Sequence, residues 1–172
     1  MEHKIRFRKG ITLFEDRLFD SLFFLYANSI ATMDKVYYNY IIKDKGLLTS
    51  SINNHDKFVN DKINGVTERA LLRKLYLEEK GIDIFKCYNG TVVIGALEII
   101  VRGAHLPISQ CIKAARKYLT LDDVKEAYQT TYLSGFSAKM KYPALMVKHG
   151  MMPLLVVLVH LASKMGVKLN TD

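Results

Sequence analysis

Apolar residues recur at three- and four-residue intervals over most of this 172-residue chain, so the pattern predicts helices. The first residues are the exception. Lys4-Ile5-Arg6-Phe7-Arg8 alternates, as a short strand or an extended basic arm would, and Gly10 ends it. Thr12-Leu13-Phe14-Glu15 reads as a capping box. The helix it opens is expected to reach about Ala31 and to bury Phe14, Leu18, Leu22, Leu25 and Tyr26. A second helix is expected over Asp34–Lys45, closed by Gly46. Residues 47–66 are polar and rich in turn formers, ending in Asn64-Gly65. They read as a connection with one short helical turn around Asp56–Lys62. Thr67 then opens a strongly helical run, Glu68 to Leu75, which stops at Gly81.

Residues 82–103 fit two patterns. Asn89-Gly90 between Ile82–Tyr88 and Thr91–Val101 is a hairpin signal, and Val92, Val93, Ile99 and Ile100 favour a strand locally. Few other strand patterns exist for such a hairpin to join, so the reading leans to a buried helix with Thr91 as its N-cap. Pro107 suits the first turn of a helix running to about Leu119. Thr120-Leu121-Asp122-Asp123 starts the next, which ends before Gly135. Two further stretches, 137–149 and 151–165, are punctuated by Pro143, Gly150, Pro153 and Gly166. The expected fold class is all-α: a compact bundle of seven or eight helices, with a small hairpin at 82–95 as the alternative there. One helical domain over 1–172 is expected, with a helical N-terminal half (1–103) and a basic helical C-terminal half (104–172).

Composition changes this picture little, but it excludes several classes. With 49% hydrophobic and 24% charged residues the chain can bury a core, so wholesale disorder is excluded. Two cysteines, Cys87 and Cys111, exclude a disulfide scaffold and a four-cysteine zinc site and fit a reducing cytoplasm. The start of the sequence is too charged for a signal peptide. The uncharged run between Lys148 and Lys164 is shorter than a membrane span and holds Gly150, Pro153 and His160, so a buried helix is expected there.

Motifs that carry chemistry are scarce. No Gly-rich phosphate-binding loop or dinucleotide fingerprint is present. The five histidines, at 3, 55, 105, 149 and 160, form no metal-binding spacing. Asp122-Asp123 at a helix start complements the helix dipole more simply than it forms a catalytic pair. Neither catalysis, nor a metal, nor a cofactor is therefore expected.

Charge placement is more informative. The formal net charge is +8. From Ile99 onward ten basic residues stand against four acids, and no acid lies between Ala127 and Thr171. Lys113, Arg116 and Lys117 are spaced by three and four, so they share one helix face, with Tyr118 beside them. Such a face neutralises phosphates. No RNP motif, zinc finger or helix-turn-helix pattern accompanies it, so backbone contact without base readout is expected.

The segment Ser137-Ala138-Lys139-Met140-Lys141-Tyr142-Pro143-Ala144-Leu145-Met146-Val147-Lys148-His149-Gly150-Met151-Met152-Pro153-Leu154-Leu155-Val156-Val157-Leu158, followed by Ala162-Ser163-Lys164, resembles a family signature. The family is the small subunit of Cmr-type (type III-B) CRISPR RNA-guided effector complexes. Its signature has a basic helix with a lysine pair, then proline, a small apolar run, Asn-Gly, two large apolar residues and a hydrophobic helix ending near lysine. Tyr128 and Tyr132 match its tyrosine-bearing lead-in. Pro143 would open a helix turn, Gly150 would take a positive φ, and Met151–Leu161 would be buried nearly all round. The likeness covers about residues 126–166. His149 replaces the usual Asn, Pro153 interrupts the apolar run, and Lys164 falls about a turn late. The motif ends this chain, whereas in the family it lies in the first half, so the remaining helices would come in permuted order.

The resemblance implies an all-helical, non-catalytic subunit that stacks along a ribonucleoprotein complex and lines the channel for guide and target RNA. Its partners would be those RNAs, the other subunits and further copies of itself. Lys139, Lys141 and Lys148 would contact nucleic-acid backbone, with Lys113, Arg116 and Lys117 assisting. Two other readings fit the residues. A helical viral or phage structural protein would use the same basic face on genome or membrane. A small enzyme would need a pocket holding His105, Cys111 or His149 beside a carboxylate.

Overall fold

The computed structural model describes residues 5–7, 15–35 and 54–167. Among these residues the protein is all-α and contains no strand. The helices are α1 (Glu15–Tyr26), α2 (His55–Lys80), α3 (Phe85–Arg102), α4 (Ile108–Leu119), α5 (Asp122–Thr130), α6 (Ala138–Lys148) and α7 (Met152–Lys164). Short 3-10 turns at Gly103–His105 and Leu133–Gly135 complete the described elements. α3 is the hub. It packs on α2, α4, α5, α6 and α7, while α1 rests on α2. One apolar cluster runs from Phe58 on α2 to Val159 on α7 through α3.

Within 82–103, residues Phe85–Arg102 thus form a helix, and tertiary packing explains why Asn89-Gly90 makes no turn. Asn89 is buried, and its side-chain amide donates to Thr130 Oγ1 at 2.9 Å. Val92, Val93, Ala96, Leu97, Ile99 and Ile100 are all buried, which a two-sided hairpin could not achieve without partner strands. The helix begins at Phe85, earlier than the expected cap at Thr91. Asp83 supplies the capping acceptor instead, taking the Phe85 N–H at 2.9 Å.

α2 corrects a second expectation. It runs unbroken through the segment read as a turn-rich connection, from its N-cap Asn54, whose side chain accepts the Lys57 N–H, to Gly81 at φ 65°. Gly65 is buried inside it beside Val66, and Thr67 caps nothing, its hydroxyl donating to the Ile63 carbonyl one turn back. Burial of Phe58, Val59, Val66 and Leu72 overrides the local turn signals. α1 stops at Tyr26, short of Ala31, because residues 28–35 are exposed and give a longer helix nothing to pack on. Leu18 and Leu25 are buried as expected, whereas Leu22 and Tyr26 are half-buried. Ile5–Phe7 is not a strand, and Phe7 stacks on Phe19 with ring centres 4.4 Å apart. Thr12 and Phe14, and the expected helix over 34–45 beyond Lys35, lie outside the described residues; Asp34 and Lys35 themselves form a bend.

A four-group clamp ties three segments together. Arg73 of α2 donates to both carboxylate oxygens of Asp83 (2.9 Å each) and to both of Glu126 on α5 (2.8 and 3.0 Å). Its guanidinium lies over the Phe85 ring, 4.3 Å from the centre. These carboxylates hold Arg73 more firmly protonated than usual, and Arg73 in turn draws the Asp83 carboxyl below the ordinary range.

At the C-terminal end Gly150 adopts φ 77°, as expected for the bend between α6 and α7. Pro153 sits in the first turn of α7, where its missing N–H costs nothing. Pro143 does not open a turn but lies inside α6, where it leaves the Lys139 carbonyl without its usual amide partner. α7 also departs from expectation. It buries Met152, Leu155, Val156, Val159 and His160, yet Met151, Leu154, Leu158 and Leu161 on its other side are 42–52% exposed. Among the described residues, packing covers only one face of the helix.

Candidate nucleic-acid interface

α4 follows its sequence pattern closely. Pro107, at φ −54° just before the helix, directs the chain into it. The period of 3.6 then sends Cys111, Ala115 and Tyr118 into the core and leaves Lys113, Arg116 and Lys117 exposed. Tyr118 does not join the basic patch. It is buried, donates its hydroxyl to the Val92 carbonyl at 2.9 Å, and is pushed above the usual tyrosine range by burial.

Lys113 and Lys117 form one wall of an open groove of about 540 Å³ between α4 and α2. Asp56, Val59 and Asn60 of α2 form the facing wall, with Gln110 and Ala114 completing the lining. Lys117 Nζ donates to Asn60 Oδ1 at 2.8 Å, which holds the ammonium at the rim. The groove therefore offers two cations and the Gln110 amide along its α4 edge, and the Asn60 amide and the Asp56 carboxylate along its α2 edge. Arg116 projects from the same helix but is outside the lining. Asp56, Asn60 and Gln110 were not among the sequence candidates. The first two belong to the segment read as a connection, and Gln110 carries no charge to mark it.

The α6 lysines are placed differently. Lys139 and Lys148 are exposed, while Lys141 is half-buried. At about 100° per residue, Lys139 and Lys141 point to opposite sides of the helix, and Lys141 shares its side with Lys148. The expected lysine pair is therefore not one patch. α6 leans on α3 and α7, and α4 leans on the same two helices, but the groove takes its lining from α2 and α4 alone. Of the lead-in tyrosines, Tyr128 is buried with its hydroxyl on the Val93 carbonyl at 3.1 Å, and Tyr132 is 90% exposed.

Cys111 is buried with its thiol pushed up to about 11 by desolvation, the opposite of an activated nucleophile. His55 and His105 approach edge to face at 6.5 Å, and His55 Nε2 lies 3.0 Å from the Ile99 carbonyl. His149 is exposed. The buried His160 ring sits between the Val156 and Leu106 carbonyls, 2.8 Å from each. Asp122 pairs with Lys125, which lowers its carboxyl, whereas burial raises that of Asp123. No group of three or more potential metal ligands converges among the described residues.

Sequence reading missed a buried ionic contact. Lys62 of α2 pairs with Glu98 of α3, and both Lys62 and Arg102 lie over the Phe58 ring, at 5.2 and 4.6 Å. Burial pulls the Lys62 ammonium below its ordinary range, and Glu98 partly restores it. Among the described residues no helix is long and apolar enough to cross a membrane. Comparison with protein-family models, with curated proteins and with solved structures finds no match to this chain.

Proposed function

We propose that this chain is a non-catalytic RNA-binding subunit of a ribonucleoprotein assembly, gripping nucleic-acid backbone along the α4 edge of the α2–α4 groove. In its specific form this reading makes it a small subunit of a type III CRISPR effector complex, a form supported only by the signature from Ser137 to Lys164. One observation carries the general form: three exposed cations on one face of α4, two of them edging a groove beside the amides of Asn60 and Gln110. Ammonium and guanidinium groups on a rigid helix match the regular spacing of phosphates, and the amides suit ribose hydroxyls. Asp56 on the opposite wall repels phosphate and would confine the backbone to the α4 side. The α6 lysines are divided between two sides of their helix, Lys139 on one and Lys141 with Lys148 on the other, so they contribute less as a patch.

The test is fluorescence anisotropy with labelled single-stranded and duplex RNA across a salt series. Log affinity should fall with log salt at a slope near −2, as about three phosphate contacts at roughly 0.7 each require. Lys113→Glu with Lys117→Glu should abolish most of the binding, while Lys139→Glu with Lys141→Glu should weaken it less. An unchanged affinity in the α4 double variant would refute the site. Purification of the tagged chain from its host tests the specific form: short RNAs sharing a repeat-derived end, together with large subunits, are expected, and a lone chain would refute it.

A further inference from the structure

The outward face of α7 is a second, apolar surface that the proposed RNA contact does not use. Met151, Leu154, Leu158, Leu161 and Met165 follow one another at intervals of three, four, three and four residues, and all are 42–74% exposed. The inward face of the same helix is packed into the core through Leu155, Val156 and Val159. A helix apolar on both sides is ordinarily buried on both. The spacing selects the kind of partner. A row repeating every 3.5 residues is the narrow seam by which one helix meets one other helix, not the broad face that lies on lipid. The order of residues selects it further. Methionine, three leucines and methionine read the same in both directions, so the seam is complementary to itself under a twofold axis.

We propose that α7 is a homodimer interface in which two copies cross antiparallel near Leu158. Met151 of each copy then meets Met165 of the other, Leu154 meets Leu161, and the two Leu158 side chains meet at the axis. No charged side chain belongs to the seam row. Half-exposed side chains of this size leave roughly 100 Å² each in water, so the pair would bury about 1,000 Å², the lower limit of a specific interface. An area at that limit fits a reversible dimer rather than a permanent one.

Sedimentation velocity of the full chain from 1 to 200 µM tests this. A monomer–dimer equilibrium is expected, and Leu158→Glu should weaken it at least a hundredfold. Because Leu158 is exposed, that variant should melt cooperatively near the wild-type temperature. If it fails to fold, Leu154→Gln with Leu161→Gln replaces it. Leu158→Cys, introduced in a Cys87→Ser background, should cross-link two copies through one disulfide under mild oxidation. A chain monomeric to 200 µM, a dimer unaffected by these substitutions, or binding to phosphatidylserine vesicles by a chain that stays monomeric would each overturn the proposal.

Discussion

Gly95 and Tyr118 give the sharpest test of how this core is built. A Cβ at position 95 would sit 2.5 Å from the Tyr118 hydroxyl oxygen and 3.0 Å from the ring carbon that carries it. Tyr118 cannot easily retreat, being 1% exposed and hydrogen-bonded to the Val92 carbonyl. Gly95→Ala in isolation would stabilise α3 by about 1 kcal/mol through helix propensity. Against this stand overpacking of about 1–3 kcal/mol and the loss of a hydrogen bond of about 0.5–1.5 kcal/mol. The expected net effect is a destabilisation of about 2 kcal/mol, or roughly 4–8 °C in Tm for a chain of this size. Tyr118→Phe alone should cost about 1 kcal/mol. Combined with Gly95→Ala it removes the nearer clashing atom, so the double variant should be no less stable than Gly95→Ala. Urea unfolding of the four proteins measures this coupling as at least about 1 kcal/mol. A Gly95→Ala protein more stable than wild type, or effects that simply add, would refute the packing argument.

Two further predictions concern charge and protonation. Arg73→Ala should destabilise by about 1–2 kcal/mol by freeing α5 from α2, and Arg73→Lys should restore less than half, because an ammonium cannot serve two carboxylates in forked geometry; thermal melts decide it. On the alkaline side, burial raises Cys111 from 9.0 to about 11 and raises Tyr118 and Tyr128 above the ordinary tyrosine value of 10.0. The folded chain then keeps these protons after the unfolded chain has lost them, so stability is full below about pH 9 and falls as pH rises past it. The urea midpoint should decline from about pH 9 upward, and Tyr128→Phe should flatten that decline above about pH 10.

The helical class, the extent of α4, the start of α5 and the bend at Gly150 are legible in the order of residues alone, because periodicity, capping residues and glycine geometry are local and act where they are written. The exposed cations of α4 are legible too, since a regular helix alternates its faces predictably once its inward residues are known. Contacts between distant segments settled the rest. Asn64-Gly65 and Asn89-Gly90 are turn signals only where the chain is free to turn. Here the burial of Phe58, Val66, Val92 and Val93 outweighs a local preference of about 1 kcal/mol. The groove required two helices far apart in sequence, so Asn60 and Gln110 gained their place only when α2 met α4. The lysine pair on α6 was divided by the helical rotation between neighbours two apart. Composition marked α7 as apolar throughout, but only the packing of α3, α4 and α6 against it showed which face the described residues cover and which stays exposed among them.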